Sequence, residues 1–233
     1  MSVRLGVNID HIAAFRAAGG QEGPDIMAAA RECLSSGADF ICAGRTFLQD
    51  KDLAQLANEL KTGFCLLTPC TKDFEKAVLK MRPSQVCLFS GGREHALHLK
   101  LKEADALAAP VGKLKKAGIE AVLYIAPDAE AVRNAHRAGA DAVCLCSSIY
   151  GAARTQKQQV AALEDIAVAA VLARELGLDI YVSGGLDYRN TKAVASIDGV
   201  KGVLSGFSVI SRSIFSGLSA AVLEFKELTV CAA

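Results

Sequence analysis

One short motif constrains the fold of this chain more than any other feature. A helical stretch ends at a Gly, a small or acidic residue follows, and a short apolar run begins. Gly37-Ala38-Asp39-Phe40-Ile41-Cys42 is the first instance. Gly118-Ile119-Glu120-Ala121-Val122-Leu123, Gly139-Ala140-Asp141-Ala142-Val143-Cys144 and Gly177-Leu178-Asp179-Ile180-Tyr181-Val182 repeat it. Gly just past a helix takes positive φ without a Cβ clash, so each instance marks the passage from helix to strand. Strands that alternate with helices build a parallel sheet.

Short apolar runs predict eight strands, near Val3–Asn8, Phe40–Gly44, Phe64–Thr68, Val86–Ser90, Ala121–Ala126, Ala142–Ser147, Ile180–Ser183 and Val203–Gly206. Helical patterns between them cover Ile26–Ser35, Lys51–Leu60, Phe74–Met81, Ala129–Ala138, Gln159–Leu176 and Gly217–Leu228. Eight βα units predict an α/β fold, a (β/α)8 TIM barrel with extra helices. A doubly wound open sheet is the competitor. It usually has fewer strands and a Gly-rich nucleotide loop after the first, where this chain has Asn8-Ile9-Asp10-His11. No linker or shift in composition divides the chain, so residues 1–233 read as one domain. The stretch Gly91–Ala109 is longer than a simple βα loop and predicts an extra helix before Val111–Lys116.

Composition excludes several classes. Of 233 residues, 52% are hydrophobic and 22% charged, with a formal net charge of +1. A disordered chain is less apolar and less balanced in charge, and a protein that binds nucleic acid through bulk charge is basic. No apolar run approaches the roughly 18 residues that span a bilayer, and the N-terminus turns polar too soon for a signal peptide. Of the eight Cys, Cys42, Cys65, Cys87, Cys144 and Cys146 fall inside predicted strands, without CxxC pairs. Free thiols in strands predict a reducing, cytoplasmic setting and argue against zinc ribbons and disulfide scaffolds. Buried Cys usually packs as a small hydrophobe, so no metal and no cofactor is expected.

In a barrel, chemistry sits where strands end at their carboxyl side. Strand one runs into Asn8, Asp10 and His11, with Arg16 beyond. This is either a ligand-contacting loop with Asp10 and His11 handling protons, or a strand-end turn in which Asp10 caps the next segment. Strand seven ends in Ser183-Gly184-Gly185, and strand eight in Ser205-Gly206-Phe207-Ser208 before a short helical segment with Ser211 and Arg212. Small residues let N–H groups approach an anion, a helix N-terminus favours it, and barrels often hold phosphate at these two loops. The plain alternative is a pair of tight turns. Tyr150 and Arg154 follow strand six and either reach the mouth or pack on its rim. His136 reads as a solvated helix position, and His95 and His98 as part of the long fourth loop.

Asn8-Ile9-Asp10-His11-Ile12-Ala13, with Arg16, Gly20 and Pro24-Asp25, resembles the opening of the pyridoxine 5′-phosphate synthase family. The similarity continues through Gly37-Ala38-Asp39, the Thr71–Pro83 helix, Ala138-Gly139-Ala140, Tyr150 and Leu176-Gly177-Leu178. It ends with Gly185-Leu186, Tyr188, Asn190, Gly206, Ile210, Arg212 and Gly217-Leu218. The resemblance implies a TIM barrel with extra helices that assembles as a homo-oligomer, a dimer or an octamer of dimers. It implies a metal-free transferase of vitamin B6 synthesis that condenses 1-deoxy-D-xylulose 5-phosphate with 3-amino-2-oxopropyl phosphate. It places Asn8, Asp10 and His11 on substrate-contacting positions and Gly206 on a phosphate loop.

Other family positions are changed. Where the family carries a catalytic His after strand two, this chain has Ala43-Gly44, with Arg45 the one cation nearby. A catalytic Glu in strand three is Leu67 here. A His between the glycines after strand seven is missing, so Gly184 meets Gly185, and a His after strand eight is Phe207. An early phosphate-binding Arg is Gly19, and an acid in strand six is Cys144. The expectation is a divergent member that binds a small phosphorylated metabolite, with neither nucleic acid nor membrane as partner, and with catalysis lost or altered. Gly184, Gly185, Gly206, Phe207 and Ser208 would hold the phosphate, and Arg45 would contact substrate. The alternative is a non-catalytic regulatory or scaffolding barrel.

Overall fold

A computed structural model describes residues 3–20, 23–44, 48–71, 74–90, 96–97 and 99–230. Arg45, His95 and His98 lie outside them. Eight parallel strands close into a barrel in chain order: β1 (Arg4–Asn8), β2 (Phe40–Gly44), β3 (Phe64–Pro69), β4 (Gln85–Phe89), β5 (Glu120–Ile125), β6 (Ala142–Cys146), β7 (Asp179–Ser183) and β8 (Val200–Ser205). Outside them run α1 (Asp10–Ala18), α2 (Ile26–Ser35), α3 (Asp50–Glu59), α4 (Phe74–Met81), α5 (Leu101–Lys116), α6 (Ala129–Arg137), α7 (Ser148–Ala152), α8 (Gln156–Glu175), α9 (Thr191–Ala195), α10 (Phe207–Ser216) and α11 (Leu218–Glu227). This is a (β/α)8 TIM barrel. None of its described helices is long and apolar enough to cross a membrane.

The recurrent motif has a physical basis in the barrel. Gly37, Gly118, Gly139 and Gly177 all have positive φ. The acid that follows can close the foot of the neighbouring strand. Asp39 Oδ2 accepts from the Leu5 N–H at 2.6 Å, and Asp141 Oδ2 from the Ala121 N–H at 2.9 Å. Each takes up a strand-end N–H that would otherwise be unpaired.

Two apolar layers follow from the strand alternation. Outward residues such as Leu5, Val7, Ile41, Leu66, Leu88, Leu123 and Val182 pack against the helices. Inward ones fill the barrel: Phe40, Cys42, Cys65, Leu67, Cys87, Phe89, Val122, Tyr124, Cys144, Tyr181 and Leu204. Glycines make room for the aromatic plug at its foot. A Cβ on Gly6 would lie 2.5 Å from the Phe40 ring, and one on Gly202 2.7 Å from the Tyr181 ring. Those rings meet edge to face at 5.9 Å, with the Arg4 guanidinium over Phe40 at 5.0 Å.

Two local expectations need correction. Among the described residues no separate helix precedes Val111–Lys116, because α5 is continuous from Leu101 and carries Pro110 inside it. Its buried stripe, Ala104, Leu107, Val111 and Leu114, keeps helical spacing across the Pro. The carbonyl that Pro110 leaves unbonded belongs to Ala106, an exposed residue, where water can serve it. The segment after strand one is also no extended loop. Ile9 is an N-cap, and Asp10 and His11 form the first turn of α1.

Candidate functional site

The carboxyl ends of the strands surround a cavity of about 600 Å³. Asn8, His11, Gly184, Gly185, Gly206, Phe207 and Ser208 all line it, so the sequence-predicted residues of strands one, seven and eight come together at one mouth. Asp10 does not line it. Its Oδ1 accepts from the Gly44 N–H at 2.8 Å, which ties the start of α1 to the end of β2. Tyr150 is buried, with its hydroxyl donating to the Asn190 carbonyl at 3.0 Å, so it packs beneath the loops. His136 lies on the exposed side of α6.

The polar groups that the rim presents are set by backbone geometry. Carbonyls of the loop after β7 are drawn into the protein: Gly184 O accepts from Ser147 Oγ at 2.7 Å, and Gly185 O from Asn190 Nδ2 at 2.9 Å. Leu186 O accepts from both Ser205 Oγ at 3.0 Å and Ser208 Oγ at 2.7 Å. Those two serines therefore spend their hydroxyl protons on the loop, and what Ser208 offers an anion is its N–H at the start of α10. The N–H groups of Gly184, Gly185 and Leu186 have no backbone acceptor among the described residues. Gly184 has φ +108°, and a Cβ there would lie 2.6 Å from Ser148 Oγ and 2.8 Å from the Tyr124 hydroxyl. Only Gly lets this loop close over the mouth.

His11 is the titratable side chain of the cavity wall that the geometry singles out. Its Nδ1 is the buried side-chain polar atom left without a hydrogen-bond partner among the described residues. The Phe207 ring stands edge to face against it at 5.5 Å. Burial holds the imidazole pKa below its ordinary value, so the ring is neutral near pH 7 and can accept or donate one hydrogen bond. Asn8 Oδ1 accepts the Asp10 N–H at 2.8 Å, which leaves Nδ2 as its group toward a ligand.

Below the rim the walls become apolar. Leu67, Cys87, Phe89, Cys144 and Leu204 form them. The Cys87 and Cys144 thiols pair with each other, and that contact, reinforced by burial, pushes the Cys144 thiol well above the usual range. Burial, with a contact from Cys65, does the same to Cys42. These are protonated, hydrophobe-like thiols rather than thiolates. No group of three or more His, Cys, Asp or Glu among the described residues could hold a metal ion.

Ser211 of the segment after strand eight also lines the cavity, as do Tyr124, Ser148, Phe89 and Asp187, which the strand-end reading missed. Counting by twos along β4 and β5 from Cys87 and Val122 would have found Phe89 and Tyr124. The Tyr124 hydroxyl donates to Cys146 Sγ at 3.0 Å. Burial raises the Asp187 pKa, but hydrogen bonds from the Arg189 side chain and the Arg189 and Asn190 N–H groups outweigh it and keep the carboxylate below its ordinary range. That acid is consumed in its own turn.

A closed parallel barrel whose strand ends surround a ligand-sized cavity places the chain among the TIM barrels. It belongs to the family of the pyridoxal phosphate biosynthesis protein PdxJ, whose profile matches residues 5–230. Pyridoxine 5′-phosphate synthase of Elusimicrobium minutum (strain Pei191) is 38% identical, covering 97% of this chain and 98% of its own. The enzyme of that name from Geobacter sulfurreducens is 36% identical over the same shares of the two chains. Among solved structures, 3-keto-L-gulonate-6-phosphate decarboxylase from Vibrio cholerae superposes with a TM-score of 0.65 at 13% identity, covering 99% of this chain and 100% of that one. Mycobacterium tuberculosis tryptophan synthase does so with a TM-score of 0.64 at 14% identity, covering 99% and 94%. These two share the fold alone.

Proposed function

We propose that this chain is a divergent pyridoxine 5′-phosphate synthase-like barrel that binds a small phosphorylated ligand and has lost or altered the family's proton-transfer chemistry. The observation that carries this is Leu67. It stands where the resemblance expects the strand-three Glu, and it is a buried wall of the cavity. Around it the described lining residues offer one free proton carrier, the neutral His11. The Asp187 carboxylate is tied to Arg189, and the thiol of Cys144 is held protonated. Gly184, Gly185, Gly206 and the N–H groups of Phe207 and Ser208 hold the phosphate, and Asn8 and His11 contact the body of the ligand. Asp10, through Gly44, positions His11 rather than reacting.

An open cavity of this size supports ligand binding over a purely scaffolding role. The chain also assembles with copies of itself in this reading, as the resemblance implies.

The test supplies purified protein with 1-deoxy-D-xylulose 5-phosphate and 3-amino-2-oxopropyl phosphate and follows pyridoxine 5′-phosphate by chromatography. Each positioned acid or base is typically worth about 10²–10⁴-fold in rate. The expected turnover is therefore at least about 10²-fold below that of the Geobacter sulfurreducens relative assayed alongside. Comparable turnover overturns the reading.

A further inference from the structure

We propose that Tyr124 is a ligand-binding residue of this cavity, its hydroxyl donating to an oxygen on the body of the ligand opposite His11, an inference that rests on the phosphate-binding reading above. Two observations carry it: the partners that the hydroxyl has within the protein, and its place in the barrel. Tyr124 is buried on the inner face of β5. A buried phenol usually finds a good acceptor. Here the hydroxyl donates to Cys146 Sγ at 3.0 Å, and a thiol sulfur accepts weakly. The other acceptor in reach, the Ser183 carbonyl, lies at 3.4 Å and already takes the Ser147 N–H at 2.8 Å. The Cys146 thiol donates in turn to Ser148 Oγ at 3.3 Å, and Ser148 also stands against the Tyr124 hydroxyl. The phenol proton therefore rests on sulfur, and an oxygen in the cavity would hold it better. Tyr124 and Ser148 line the cavity, while Cys146 is not among its described lining residues. A turn about the phenol C–O bond moves the proton from thiol to ligand without displacing either.

The topology places this donor. In an eight-stranded barrel closed in chain order, β1 and β5 stand opposite one another. His11 follows the first, with an Nδ1 that has no hydrogen-bond partner among the described residues, and Tyr124 belongs to the second. A ligand seated between them meets a neutral imidazole on one side and a phenol on the other. Burial pushes the Tyr124 pKa up, and the Cys146 thiol adds to it, so the phenol stays protonated and remains a donor. Gly184 closes over the same spot, since a Cβ there would lie 2.8 Å from the Tyr124 hydroxyl and 2.6 Å from Ser148 Oγ. The other polar groups of the wall have different duties. Ser205 and Ser208 donate to the Leu186 carbonyl, and the Asp187 carboxylate is held by Arg189. Ser148 acts through Cys146, whose proton it accepts and whose sulfur it thereby turns toward Tyr124.

Titration calorimetry on the purified full-length protein at neutral pH tests this with two probes: dihydroxyacetone phosphate, which carries oxygens on its three-carbon body, and propyl phosphate, which carries none. Tyr124→Phe keeps the ring and removes the hydroxyl. It should weaken dihydroxyacetone phosphate about 5- to 100-fold, the cost of leaving a buried ligand oxygen unpaired, and change propyl phosphate by less than about 2-fold. Infrared spectra of the S–H stretch give a second readout, with the Cys146 band identified through Cys146→Ser. Dihydroxyacetone phosphate should shift that band in the parent in the direction that Tyr124→Phe shifts it in the free protein, because both take the phenol proton off the sulfur. An unshifted band, or equal affinity of parent and variant for dihydroxyacetone phosphate, overturns the inference and leaves the phosphate reading standing. Loss of both probes by the same factor puts the hydroxyl on the phosphate instead and also overturns it. Failure of both probes to bind the parent overturns the phosphate reading itself, and this inference with it.

Discussion

His11 stands at the turn from β1 into α1 with a buried nitrogen that has no hydrogen-bond partner among the described residues. A polar atom in that state is either a cost the fold carries or a contact kept for a ligand, and its position in the cavity wall favours the second. Burial favours the neutral ring, so the folded pKa lies below that of the unfolded chain. The consequence for pH has a definite sign. Above about pH 6.5 both states are neutral and the residue adds no pH dependence. As pH falls below that value the unfolded state binds the proton first, and stability declines until the lowered folded pKa is passed. His11→Gln removes this component. Thermal midpoints measured from pH 8 to pH 5 should fall less steeply in the variant than in the parent. An identical slope in both proteins would show that the imidazole is solvated rather than held in the wall.

At the scale of elements, the helix-to-strand passages carry both the closure of the barrel and its legibility. Asp141 follows the C′ glycine of α6 and accepts the N–H of Ala121, a fully buried residue in β5, while pairing with Lys115 at 2.9 Å. Asp141→Ala leaves that N–H without its acceptor, and a loss of about 1–2 kcal/mol is expected. Urea unfolding checks it through a lowered midpoint at constant slope. This acid was readable because its partners are local in the pattern: one glycine, one carboxylate, one apolar run. For the same reason β2, β5, β6 and β7 were readable, and the other four strands were readable as short apolar runs. Two elements were not. Pro110 signals a break, yet the stripe from Ala104 to Leu114 has enough apolar surface to carry the helix across it. Asn8-Ile9-Asp10-His11 signals a loop, because polar residues crowd it, yet the Asp10–Gly44 bond lets α1 begin at once. The mouth was legible through its glycines and through His11. Tyr124 and Phe89 were legible only as inward strand positions, two residues on from Val122 and Cys87, and their meeting with Gly184 in one cavity comes from the closed barrel. Ser208 was legible as a position but not as a group, since its hydroxyl bond to Leu186 exists only once two loops meet.

The whole molecule leaves one feature that its own core does not use. The inner stripe of α8, Ala162, Ile166, Ala169, Ala170 and Ala173, packs against the barrel, as a surface helix should. Its outer side mixes charged and apolar residues. Val160, Val168 and Val171 lie within a quarter of the helix circumference together with Lys157, Glu164 and Glu175, and Val168 is 69% exposed. An isolated exposed Val needs no explanation, but a row of them on a 20-residue helix is what a chain buries against another copy. Light scattering at micromolar concentration should therefore give a mass above the 24.4 kDa of one chain. Val168→Glu should lower that mass, because a carboxylate in a self-complementary interface is desolvated against apolar surface and set near its own copy and Glu164. At an exposed helix position the same change alters the stability of a lone barrel by less than about 0.5 kcal/mol. A drop in mass with an unshifted urea midpoint at high dilution places the valine row in the interface. A parent that scatters as a single chain at every concentration removes self-association from the account and returns α8 to the ordinary surface of a monomer.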